Sequence, residues 1–116
     1  MATEAELREL LPKHKQDLEN AKKLINYGFP TVKPVLPDLL EWVGGDNDPV
    51  TIYVILPFLE SIGMPLLPYL KTALQADNEW LNGCLINTLI IHNPQLKQSL
   101  KSEIEEFYKK YPDWIL

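Results

Sequence analysis

Asp46-Asn47-Asp48-Pro49 and Asp77-Asn78-Glu79-Trp80 stand 31 residues apart, and each introduces an apolar run. Gly28-Phe29-Pro30 and Gly63-Met64-Pro65 stand 35 apart, and each introduces a proline-bearing segment, TVKPVLPDLLEWV in one case and LLPYLKTAL in the other. Self-similarity at such a period constrains the fold strongly, because so short a unit cannot bury its apolar face alone and must stack on neighbours. Each unit reads as helix, glycine turn, proline-started helix, acidic loop. The expected fold is all-α, a single domain built as an α-α superhelix of about three stacked helical hairpins over residues 13–43, 49–75 and 79–111.

The individual elements follow from local signals. Asn93-Pro94 is an N-cap followed by proline at the first helical position. Leu96, Leu100, Ile104, Phe107, Tyr108 and Tyr111 then recur at spacings of three and four, which predicts one amphipathic helix. Leu18, Ala21, Leu24 and Ile25 repeat the period, and Gly28 suits a left-handed cap beyond it. A short turn is expected around residues 7–11, since Pro12 interrupts the pattern. VTIYVIL is rich in β-branched residues and reads at first as a strand. Asp48-Pro49 repeats the cap-and-proline device, however, and the run extends to Gly63, so a helix over 50–62, kinked at Pro57, is the better reading. Its counterpart over 80–91 has no proline. Both are apolar on nearly all sides, as helices sandwiched by neighbours would be.

The net charge of −5 is carried by the middle of the chain. Residues 1–23 and 97–116 each balance acids against bases, while residues 24–96 hold seven acids against Lys33 and Lys71. A surface of that sign repels phosphate backbones and attracts basic partners, so nucleic acid is not expected as a ligand. The longest apolar run, residues 52–59, is too short to span a bilayer, and the first ten residues carry acids where a secretory signal needs bases. A cytoplasmic protein with no membrane contact is expected. Cys84, the lone cysteine, lies in an apolar run and reads as a small core side chain.

Chemistry-bearing patterns are sparse. His14 and His92 are far apart with no second ligand at metal spacing, so no metal site is expected. Gly44-Gly45 lacks the Lys-Ser/Thr of a phosphate loop, Ser61, Ser99 and Ser102 lack a nucleophile-elbow setting, and Cys84 has no activating partner nearby in sequence. No catalytic residue and no cofactor are expected. Asp46, Asp48, Asp77 and Glu79 read first as helix caps and secondly as a recognition patch. Trp42 and Trp80 flank them, and with Trp114 they either close the ends of the stack or, at the acidic loops, anchor an interface. The PDWIL tail is expected to fold back over the last hairpin, since an exposed Trp-Ile-Leu end invites aggregation.

Leu11-Pro12-Lys13, Asp17-Leu18, Ala21, Gly28-Phe29-Pro30 and Leu36-Pro37-Asp38-Leu39-Leu40-Glu41-Trp42, continued by Pro49, Pro57-Phe58-Leu59, Ile62-Gly63 and Pro65, form a set that covers most of the chain. In this it resembles a family of small uncharacterised bacterial proteins. The resemblance implies a compact helical-repeat fold like HEAT or armadillo pairs and brings no catalytic residues; similar small proteins are suspected of being immunity or adaptor proteins. The functional expectation is therefore a non-enzymatic protein–protein interaction module, monomeric or weakly dimeric. Its acidic loop edge of Trp42, Asp46, Asp48, Asp77, Glu79 and Trp80 would dock a basic protein. The alternative is a small hydrolase or ligand-binding protein with a pocket between helices, on which Asn82, Asn87 or Tyr53 would converge.

Overall fold

The computed structural model describes residues 3–45 and 48–114. Among these residues there is no strand, and the fold is all-α. The short helix α1 (Glu4–Glu9) precedes three helical pairs. The first pair is α2 (Leu18–Ile25) and α3 (Leu36–Trp42), and the second is α4 (Leu56–Ile62), preceded by a π turn over Thr51–Ile55, and α5 (Leu67–Gln75). In the third, α6 (Glu79–Thr88) is followed by α7 (Pro94–Ser99) and α8 (Lys101–Lys110), with a final 3-10 turn at Pro112–Trp114. No single described helix is long and apolar enough to cross a membrane.

Asn93 caps its helix as the sequence predicts, its Oδ1 accepting from Gln95 and Leu96. At α6 the cap is Asn78, whose Oδ1 accepts from Leu81 N–H, and neither Asp77 nor Glu79 takes the expected capping role; at α2 the cap is Asp17, which accepts from Asn20. Gly28 and Gly63 both take φ of 71°, a conformation open to glycine and strained for side-chain-bearing residues. After each glycine the chain repeats one device at an offset of 31. Lys33-Pro34-Val35 and Met64-Pro65-Leu66 form 3-10 turns, and Leu36-Pro37 and Leu67-Pro68 then begin α3 and α5. The four prolines face solvent at positions whose N–H would be unpaired anyway, while Val35, Leu36 and Leu66 are buried.

The structure departs from expectation in four places. The kink at Pro57 takes the form of a π turn, in which Leu56 N–H donates to Thr51 O. A widened turn accommodates a proline ring that would crowd the carbonyl four residues back. The helix over 94–111 is broken at Leu100, which leaves the α-helical region (φ −106°, ψ 16°) while remaining fully buried. At Gly63 the axes turn through 95°, a right-angled corner where a hairpin would reverse direction. Finally, the central helices are not covered on all sides: Ile52, Tyr53, Trp80 and Ile91 are exposed. A single apolar cluster nonetheless runs from Leu7 through Leu24, Leu39, Ile55, Leu70, Ile86 and Leu96 to Phe107, and it joins all three pairs.

Candidate functional site

The turn from α5 into α6 and one face of α8 enclose a cleft of about 370 Å³. Its floor is set by Asn82, one turn into α6 and 5% exposed. The Asn82 Nδ2 donates to Ala76 O at 3.0 Å and Leu74 O at 3.4 Å, satisfying carbonyls that the end of α5 leaves without helical partners. Reversing the amide would set oxygen against two oxygens, so its orientation is fixed. The Oδ1 that remains is buried and has no hydrogen-bond partner, a state that costs about 1–3 kcal/mol.

The second wall is built by helical spacing. Glu103, Glu106, Phe107, Lys110 and Tyr111 recur at intervals of three and four, and all line the cleft, while Lys101, Glu105 and Lys109 fall on the opposite side of α8. Asp77 and Glu79 add their carboxylates from the turn, so four acids face one base. Lys110 already shows how the cleft holds a cation. Its Nζ lies 3.6 Å from Asp77 Oδ1 and 5.3 Å above the Tyr111 ring, and the bond to Tyr111, then the charge of Asp77, raise its pKa above the ordinary lysine value.

Aromatic rings gather behind Phe107, outside the cleft lining. Trp114 folds back onto α6, packs directly over Gly83, and donates from Nε1 to Glu79 Oε2 at 2.9 Å. Its ring meets those of Phe107 at 5.9 Å and Trp80 at 5.4 Å. Trp80 is 58% exposed, and its Nε1 donates to Gly44 O at 2.6 Å, which ties the start of α6 to the chain just beyond α3.

The expected edge is thus only partly assembled. Asp77 and Glu79 line the cleft, and Trp80, next in sequence, lies outside its lining. Asp48 does not join them: it is 5% exposed, and its carboxylate accepts from Thr51 N at 2.9 Å and Thr51 Oγ1 at 3.1 Å. Thr51 also shares its hydroxyl with Trp42 O, and Trp42 itself is half-buried beside a second depression near Pro12 and Glu41. Asp46 lies outside the described residues, as do the last two residues of the tail. Asn82, Asn87 and Tyr53 do not converge: Asn87 accepts from the Tyr108 hydroxyl at 2.6 Å and Tyr53 is 73% exposed. Cys84 packs against the core, and burial pushes its thiol pKa up, which favours the unreactive protonated form. Among the described residues no cluster of His, Cys, Asp and Glu could hold a metal.

Sequence reasoning missed Glu103 and Glu106, because counting charge over 97–116 balances acids against bases. The signal was their helical phase. Placing those charges on a wheel puts Glu103, Glu106 and Lys110 together on one side.

Residues 10–112 match the model of a family described as Domain of unknown function (DUF5071). No curated protein and no solved structure matches the chain.

Proposed function

We propose that this chain, which belongs to the DUF5071 family, is a non-enzymatic protein–protein interaction module that docks a basic protein at the cleft between α8 and the α5–α6 turn. The observation that carries this reading is the charge of the lining: Asp77, Glu79, Glu103 and Glu106 against Lys110 alone. Facing carboxylates across a concave surface concentrates negative potential there and speeds the encounter with a cationic partner. Trp80, exposed and next in sequence to Glu79, supplies an aromatic contact of the kind that dominates interface energetics.

The three helical pairs suit a short HEAT- or armadillo-like superhelix, a scaffold that offers its inter-unit loops along one edge. A bacterial immunity protein that neutralises a cationic toxin in the cytoplasm is one form of this function, and an adaptor subunit is another. Monomeric or weakly dimeric protein would leave the cleft open to such a partner.

The test is a quantitative capture from the native host's lysate, comparing wild type with an Asp77→Lys, Glu103→Lys, Glu106→Lys variant. This set spares Asp48, whose reversal would bury a lysine, and Glu79, which holds Trp114. The expected result is a basic protein bound by wild type and lost from the variant, with helical circular dichroism unchanged. Equal capture by both would remove the acidic cleft from the reading.

A further inference from the structure

We infer that residues 110–114 form an autoinhibitory clasp, which holds the 77–79 loop with a cation and an aromatic ring of the chain's own and must open before the basic partner docks. The inference rests on the docking reading above and adds a means of regulating it. Among the described residues two side-chain ties join this segment to the loop. Lys110 Nζ lies 3.6 Å from Asp77 Oδ1, and Trp114 Nε1 donates to Glu79 Oε2 at 2.9 Å. Asp77 and Glu79, which line the cleft, are therefore already engaged from within the chain by the two kinds of group that a basic partner would bring.

Three features make the clasp easy to open. Its ion pair is a surface one, with the Lys110 and Asp77 side chains 65% and 86% exposed, so it is weakly held and exchangeable for another cation. Its hinge is short. Tyr111 leaves the helical region at φ −129° and ψ 73°, and the exposed Pro112 and Asp113 carry the chain to Trp114 in a 3-10 turn. Its ring rests on a glycine: the indole lies against Gly83, with the exposed Trp80 and the ring of Phe107 beside it. The helix that carries the clasp is anchored separately, since Ile104 and Phe107 are buried, and the turn can lift while α8 stays in place. A partner that needs Asp77 and Glu79 then binds only the open form, and its apparent affinity is reduced by the fraction of molecules that are open. Loosening the clasp must tighten such binding. A tail that merely supports the loop predicts the opposite sign.

The test titrates the full-length, ¹⁵N-labelled chain with a deca-lysine peptide at fixed ionic strength, following the Trp114 indole N–H and the backbone amides of Asp77 and Glu79. In the wild type the indole signal should move in step with the two amides, because binding the peptide and opening the clasp are one event. Gly83→Ala, which pushes the indole off α6, should bind the peptide several-fold more tightly. Trp114→Phe keeps a ring on the glycine and loses the N–H donor to Glu79, so it should tighten binding by a smaller factor with the circular dichroism unchanged. Should Gly83→Ala fail to fold, Trp114→Phe decides alone. Peptide binding that leaves the indole signal in place, unchanged or weaker binding by the folded variants, or no binding by any form would each overturn the clasp. If the clasp fails while charge reversal still abolishes capture, the docking reading stands without it. If the variants tighten peptide binding while capture is insensitive to charge reversal, the clasp stands and the docking reading falls.

Discussion

At Gly83 a single hydrogen atom decides whether the tail can close. A Cβ there would stand 2.5 Å from Trp114 Cζ3, too close for any real contact, so Gly83→Ala must push the indole off α6. In a helix interior the same change ordinarily gains up to about 1 kcal/mol. We therefore expect Gly83→Ala to destabilise the wild-type chain in urea denaturation and to stabilise a Trp114→Ala background, a reversal of sign in one double-mutant cycle. The same sign in both backgrounds would show that the ring does not rest on Gly83. Asp48 is legible in the sequence as a cap, but an acid before a helix reads alike whether its carboxylate is buried or solvated. The structure buries it against Thr51, so Asp48→Ala should cost about 1–3 kcal/mol of stability by thermal melting. Asp17 carries a prediction in pH. The Lys13 N–H, then Asn20, hold its carboxyl below the ordinary aspartate value of 3.8. A depressed folded-state pKa means the carboxylate's contribution is fully present above 3.8 and is lost as pH falls through the lower folded value. Acid unfolding of Asp17→Asn should accordingly be less steep in that window, and an unchanged acid limb would remove Asp17 from the account.

Among the elements, those with punctuated ends were legible and those shaped by packing were not. Asn93-Pro94 marked a helix start that the structure keeps, and Gly28 and Gly63 marked stops, whereas the caps at Asp17 and Asn78 were not singled out beforehand. The break at Leu100 had no such mark, because the apolar period runs on through it; the chain leaves the helical region there while Leu100 stays buried. The π turn was foreshadowed by Pro57 but not its form, since a kink and a widened turn both accommodate a missing donor. Gly63 is the corner on which the second pair depends, with φ 71° and ψ −133°. An added Cβ would meet nothing nearer than Asn93 Nδ2 at 3.6 Å, so Gly63→Ala tests backbone strain alone. It should cost about 1–3 kcal/mol by thermal denaturation with the helical signal intact. A neutral result would mean that the corner relaxes to another conformation.

In the whole molecule, three helical pairs sharing one apolar cluster bring together acids that lie far apart in sequence. Asp77 and Glu79 come from one loop, while Glu103 and Glu106 come from a segment whose charges cancel on paper. The period in the low thirties made the all-α fold readable. It could not show which loop carboxylates face outward, because that depends on tertiary contacts such as Trp80 to Gly44 and Trp114 to Glu79. The exposed Ile52 and Tyr53 on the π turn form the rival surface for any partner. The decisive measurement is chemical-shift mapping of the captured basic protein on the ¹⁵N-labelled chain. Docking at the cleft predicts perturbations clustered over residues 74–82 and 103–111. Perturbations confined to Ile52, Tyr53 and the neighbouring face of α2 would contradict it.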